Sequence, residues 1–153
     1  MGPLHGAFGD PKPLDPTVEQ ELRSLPNVHF TGALPYDEVP IWLEAMDVLL
    51  IAYDLEAQGT RATSSHKLLE YLASGKVVIS SYLEDHVQLS DLLVMTKQGQ
   101  RITERVDEAL DDLPQLNAEK LRLARKAYAA SRSYSGYLHK IGDLLQAVDQ
   151  PTV

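Results

Sequence analysis

Cysteine is absent from this 153-residue chain. Disulfides and thiolate metal sites are thereby excluded. The composition fits a reducing compartment, so a cytoplasmic location is expected. Positive charge is also short: 14 Lys and Arg stand against 22 Asp and Glu, a formal net charge of −8. A chain so acidic binds nucleic acid or anionic lipid poorly through bulk charge, and no nucleic-acid partner is expected. No apolar run approaches the roughly 20 residues that span a bilayer. The N-terminus lacks a basic region followed by an apolar run, so no signal peptide is expected. Internal repeats and low-complexity segments are missing. So are G-x-G-x-x-G, G-x-x-x-x-G-K-[ST] and G-x-S-x-G, the signatures of dinucleotide binding, P-loops and hydrolase elbows. His5, His29, His66, His86 and His139 share no ligand spacing, so no metal site is assigned.

What is present is enough for one core. The chain is 44% hydrophobic and 24% charged, which suits a single domain over residues 1–153. Residues 1–16, rich in Pro and Gly, read as loop. Thr17 to Leu25 reads as a short helix with Thr17 as N-cap and Leu22 and Leu25 on one face. Val28 to Thr31 alternates like a strand and stops at Gly32. Residues 37–46 carry Val39, Trp42, Leu43 and Met46 at helical spacing, with Pro40 in the first turn.

The run Asp47–Tyr53 is nearly all apolar, as in a strand buried on both faces of a parallel sheet. Residues 54–64 form a polar loop, Ser65 to Ser74 a helix with Gly75 at C′, and Val77 to Ser80 a second buried strand. Leu92 to Met95 gives a third. Residues 99–112, 118–131 (capped by Asn117) and Tyr137 to Val148 read as helices. Strands alternating with helices predict an α/β fold, a mainly parallel sheet flanked by helices. Ligands bind such sheets beyond the carboxyl ends of the strands.

The segment from Thr63 to Ile79 carries the most chemistry. A helix N-terminus presents unpaired N–H groups and the positive end of the dipole, which suits a phosphate. Ser64 and Ser65 are small enough for a pyrophosphate to approach the backbone. Leu68, Leu69, Leu72 and Ala73 make the expected buried face, and Lys67, Glu70 and Ser74 lie on another. Lys67 can meet a phosphate, and the Glu70 carboxylate can accept two ribose hydroxyls. The same residues also suit an ordinary surface helix, and on physics alone both readings stand. His66 reads as a solvated residue or a phosphate contact. Glu84-Asp85-His86 reads as a solvated loop, since no nucleophile accompanies it. Arg122, Arg125, Lys126, Arg132 and Lys140 make the C-terminal helices locally basic. A solvated face is the default there, and a peripheral contact with the inner membrane surface the alternative.

Residues 64–80, Ser-Ser-His-Lys-Leu-Leu-Glu-Tyr-Leu-Ala-Ser-Gly-Lys-Val-Val-Ile-Ser, resemble the donor-site signature of group 1 glycosyltransferases of the GT-B type. Pro26 to Gly32 is similar to that family's N-V-x-F-x-G strand and turn. Pro35 to Pro40 with Trp42-Leu43 is similar to its next helix, and Asp47 to Leu50 to its D-V-x-L strand. Gly2-Pro3 and Ala124-Arg125 add weaker matches, and the order is kept throughout. The resemblance implies a Rossmann-like donor-binding domain, the C-terminal half of a GT-B fold. Such a domain binds a nucleotide-sugar, here a UDP- or GDP-sugar, while an N-terminal domain holds the acceptor, a sugar or lipid-linked sugar. It implies no metal and no cofactor beyond the donor. By resemblance Glu70 holds the ribose, Ser64, Ser65 and Lys67 meet the pyrophosphate, and Leu34 and Tyr36 after Gly32 line the base pocket.

Two departures stand out. Many members carry E-x7-E, and Ala62 occupies the first acidic position here, which leaves the donor-sugar contact unassigned. The chain also opens where the first strand of such a domain would be ending. That suggests a domain truncated at its N-terminus, with a sheet edge that self-association would cover. No catalytic residue is assigned. The rival readings are a half-domain of a sugar-nucleotide epimerase and a non-catalytic interaction domain that keeps the fold.

Overall fold

Each strongly apolar run becomes a strand of one parallel sheet. The structure, a computed structural model, describes residues 15–53 and 65–136 together with Leu138 and Ile141. The chain divides into two compact units, Met1–Trp42 and Leu43–Val153.

In the first unit, helix α1 spans Pro16–Ser24. Its cap is Asp15, not Thr17: the Asp15 carboxylate accepts a hydrogen bond from the Thr17 N–H at 2.8 Å. A carboxylate suits that end of the helix dipole, and Pro16 fills the first position, where no N–H is needed. No residue of α1 is buried, and Leu25 is the C-cap rather than part of an inward face. Val28 to Thr31 is not a strand. The Val28 N–H closes a turn onto the Leu25 carbonyl, and Phe30 packs under the Arg23 guanidinium at 4.4 Å. Alternation alone does not make a strand where no neighbour supplies a ladder. Helix α2, Val39–Ala45, begins in this unit and ends in the second, and it starts two residues later than the sequence pattern suggests. Pro40 is its second residue, where the missing N–H costs little.

The second unit holds the sheet. Strands β1 (Val48–Ile51), β2 (Val77–Ser80) and β3 (Val94–Met95) lie side by side in that order, all parallel. Val48 pairs with Val77 and Ile51 with Ser80, and Ile79 pairs with Val94. Every residue of β2 is buried, as a central parallel strand requires. β1 departs from expectation. Leu49 and Ile51 are buried, but Leu50 is 47% exposed. Leu50 pairs with Ile79 and so points to the Val77–Ile79 side of the sheet, but the cluster packed there takes in Val48 and not Leu50. β3 is shorter than the run Leu92–Met95, because the Leu92 and Leu93 N–H groups both turn back to the Leu89 carbonyl.

Helix α3, Ser65–Ser74, connects β1 to β2. Gly75 follows at φ +78°, the left-handed turn expected at C′. A 3-10 helix, Glu84–Leu89, replaces the loop expected around His86. Helix α4 spans Ile102–Asp111, α5 Leu113–Leu116 and α6 Glu119–Ser131. Asn117 does not cap α6. Its N–H bonds back to α5, and Ala118 takes the cap position without a side-chain bond. The expected last helix lies mostly outside the described residues, but Tyr134 to Gly136, Leu138 and Ile141 are helical.

Two layers of helix cover the sheet. Val77 and Ile79 pack with Val94 and Ala109, supported by Val48, Val106, Leu113 and Leu116. That face belongs to α4 and α5. Strand side chains alternate, so Val78 and Ser80, equally buried, point to the other face. α3 contacts β2 and packs most extensively on α6, and none of its residues joins the first cluster. α3 therefore covers the Val78–Ser80 face. Its own inward stripe is Leu68, Tyr71 and Leu72. Leu69 is half-buried and Ala73 exposed, so the stripe lies about one residue away from the expected one. Among the described residues no helix is long and apolar enough to cross a membrane.

Candidate functional site

α3 runs back along the sheet before β2 begins, so its N-terminus comes level with the strands' carboxyl ends. Ten residues of helix rise about 15 Å. The step from Lys76 to Ser80 covers about 13 Å of strand. The first turn of α3 thus opens where β1 and β2 end. In parallel α/β sheets that end is where ligands bind.

Ser65 is the first residue of α3, and Ser64 and Ala62 lie outside the described residues. His66 is exposed. The Lys67 ammonium stands over the Tyr71 ring at 5.7 Å from its centroid. Glu70 is half-buried, and among the described residues its carboxylate enters no ion pair. Ser74, assigned to the same face from sequence, instead closes the far end of the helix. Its hydroxyl donates to the Tyr71 carbonyl at 2.6 Å and accepts from the Lys76 N–H at 3.2 Å.

Tyr71 is a participant that the sequence reading left out. Its side chain is buried, and its pKa is raised, first by loss of solvent and then by the Glu70 and Tyr53 charges. Tyr53, at the exit of β1, is pinned to the exit of β2. Its N–H donates to the Ser81 hydroxyl at 3.0 Å, the hydroxyl donates to its carbonyl at 3.3 Å, and the Ser81 N–H donates to the Ile51 carbonyl at 2.9 Å. Ser81 therefore closes the sheet end. Among the described residues, the Ser80 hydroxyl and the His86 Nδ1 are buried and have no hydrogen-bond partner.

Gly32, Leu34 and Tyr36 belong to the first unit. Gly32 adopts φ +68°, a turn that favours glycine. Leu34 is half-buried, and Tyr36 is 81% exposed.

The largest correction concerns Arg125, grouped above with the solvated basic residues. It is 1% exposed. Its guanidinium donates to three backbone carbonyls: Leu116 at 2.8 Å, Leu92 at 3.0 Å and Gly75 at 3.3 Å. Burial lowers its pKa. The signal was available: Leu121, Arg125, Tyr128 and Ala129 fall at i, i+4, i+7 and i+8, one inward stripe of α6. Arg122 and Lys126 are exposed, and Arg132 stacks over Tyr128 at 4.0 Å. Lys140 lies outside the described side chains. Among the described residues no three His, Asp or Glu side chains gather as a metal would require.

Chemically, the N-terminal end of α3 offers backbone N–H donors, a lysine in its first turn and a carboxylate one turn further. An anion and a neighbouring hydroxyl pair match that set.

Comparison with known proteins agrees with the sequence pattern. Residues 7–112 match the family described as glycosyl transferases group 1. A 64-residue stretch is 39% identical to TuaH of Bacillus subtilis (strain 168), whose name assigns it as a glycosyltransferase to teichuronic acid biosynthesis. That stretch is 42% of this chain and 16% of the relative, so the chain spans a small part of the relative's length. No solved structure matches. With the parallel sheet, its helical layers and a family match running from residue 7 to residue 112, the chain belongs to the group 1 glycosyltransferases.

Proposed function

We propose that the second unit binds the diphosphate and ribose of a nucleotide-sugar donor at the N-terminal end of α3. The observation that carries the reading is the placement of Lys67 and Glu70. They are the third and sixth residues of the ten-residue α3, one turn apart and off the buried stripe, and the helix opens toward the carboxyl ends of the strands. The first-turn N–H groups, with Ser64, Ser65, His66 and Lys67, would hold the diphosphate, and Glu70 the ribose diol. Leu34 and Tyr36, after Gly32, are the residues that the family resemblance gives to the nucleobase. The donor is a UDP- or GDP-sugar and the product a glycosylated acceptor, with the acceptor role falling to the family's second domain. Catalysis on this side consists of holding the donor in place and stabilising the departing diphosphate by fixed N–H donors and a lysine. The chain alone then binds donor without transferring it.

Calorimetric titration of the 153-residue chain with UDP, GDP and ADP tests this. One nucleotide should bind, and Glu70→Ala should weaken it by about 1–3 kcal/mol, the worth of a charged hydrogen-bond acceptor. If none of the three binds to the folded chain, the donor-site reading is wrong.

A further inference from the structure

α3 carries the proposed donor-binding groups at one end and is gripped at the other. The grip is Arg125. One guanidinium ties three segments together: the Gly75 carbonyl after α3, the Leu92 carbonyl before β3, and the Leu116 carbonyl at the end of α5. None of the three acceptors is a carboxylate. A buried cation held only by carbonyls gains no ion-pair energy, yet α6 spends an inward position on it where leucine would pack. Its planar fork of donors fits three diverging acceptors, which a lysine ammonium cannot match.

The approach at this joint is close. A Cβ on Gly75 would stand 3.2 Å from the Arg122 carbonyl and 2.8 Å from the Lys126 Cε. The end of α3 is thus set against the backbone of α6 with no space to spare. The Tyr71 and Leu72 carbonyls are already taken, by the Ser74 hydroxyl and the Gly75 N–H. The Gly75 carbonyl is the group through which the Arg125 side chain of α6 holds the helix end.

We infer that Arg125 is a positioning residue for donor binding: by fixing the Gly75 end of α3 to α6 and to the β3 approach, it sets where Lys67 and Glu70, the third and sixth residues of that helix, stand. The inference rests on the donor-site reading above. A stiff helix passes a shift at one end to the other, and a displacement near 1 Å at a binding end costs up to about 10²-fold.

The test compares the full chain with Arg125→Lys, Gly75→Asn and, as a control, Val94→Ala. Val94 sits in the cluster on the opposite face of the sheet. Gly75→Asn keeps a residue that tolerates the left-handed turn but moves the helix end away from α6, and it serves if Arg125→Lys fails to fold. Affinity for the nucleotide diphosphate is measured by calorimetry well below the midpoint of thermal unfolding of each variant, so that only folded protein is read. Arg125→Lys and Gly75→Asn should lose roughly tenfold in affinity, while Val94→Ala loses stability and keeps wild-type affinity. Unchanged affinity in a folded Arg125→Lys or Gly75→Asn chain overturns the inference and leaves the donor site standing. So does an equal loss in Val94→Ala, which would make the effect one of general stability. No binding by wild type removes the donor site and the inference together.

Discussion

Replacing Gly75 by alanine separates backbone strain from crowding at one residue. The backbone there has φ +78°. A left-handed conformation costs an L-residue about 1–2 kcal/mol. The new methyl would also meet the Lys126 Cε at 2.8 Å and the Arg122 carbonyl at 3.2 Å. The lysine end can swing away, but the carbonyl belongs to the helix and cannot move without it. Crowding of that kind adds about 1–3 kcal/mol, so a total near 2–5 kcal/mol is expected. Urea denaturation followed by circular dichroism gives the loss directly. The double variant Gly75→Ala with Lys126→Ala then apportions it. Lys126→Ala alone should lie within about 0.5 kcal/mol of wild type, as an exposed position should. In the double variant it should restore about 0.5–1 kcal/mol, the coupling of two touching residues. A Gly75→Ala chain within about 0.5 kcal/mol of wild type would refute the left-handed turn. Zero coupling would show that the Lys126 side chain swings clear of the new methyl and that the Arg122 carbonyl alone crowds it.

Further outcomes follow from individual side chains. Leu72, fully buried on α3, should cost about 2–5 kcal/mol as Leu72→Ala, whereas Leu50→Ala should cost far less because Leu50 is half exposed; equal losses would mean that β1 is covered on both faces. Tyr71 has a pKa raised above its ordinary 10.0 in the folded chain. Its share of stability is therefore full below that value and falls as pH rises through the folded pKa. Denaturation midpoints at rising alkaline pH should drop more steeply for wild type than for Tyr71→Phe, and parallel curves would sink the claim. Asp15→Ala should cost α1 about 1 kcal/mol through loss of its cap, read by amide exchange across Pro16–Ser24. Tyr36→Ala should alter the preference among UDP, GDP and ADP if Tyr36 meets the base, and an unchanged ranking would remove it from the site.

The parallel sheet and α3 were legible because their signals are local. Val77–Ile79 is apolar without a break, and Gly75 marks the helix end whatever surrounds it. Residues whose fate depends on distant neighbours were not. Val28–Thr31 alternates well, yet a strand needs a partner with which to pair. Leu50 reads like Leu49 in sequence, and only what packs on each side of β1 separates them. Thr17 and Asn117 are good caps, but Asp15 and Ala118 hold the cap positions because Pro16 and the close of α5 fix where those helices begin. Arg125 was misplaced by chemistry. A charged residue is exposed by default, and the three carbonyls that bury it come from segments far apart in the chain. At the candidate site, the residue types of Lys67 and Glu70 could be read in advance. Tyr71 and Ser81 could not, since Tyr71 depends on burial and on the charges near it, and Ser81 on the pairing of β1 with β2.

The Arg125 bonds also bear on the order in which the chain folds. Its acceptors lie 9, 33 and 50 residues earlier. All three come before it in the chain, so a growing polypeptide has made the whole receptor for the guanidinium before the guanidinium exists. A buried cation without its acceptors is expensive, so α6 gains little by docking early on a partly formed sheet. Each parallel pairing must also close a long connection first. The arrival of one arginine therefore works as a check that the turn after α3, the approach to β3 and the end of α5 are all in place before the last described long helix locks down.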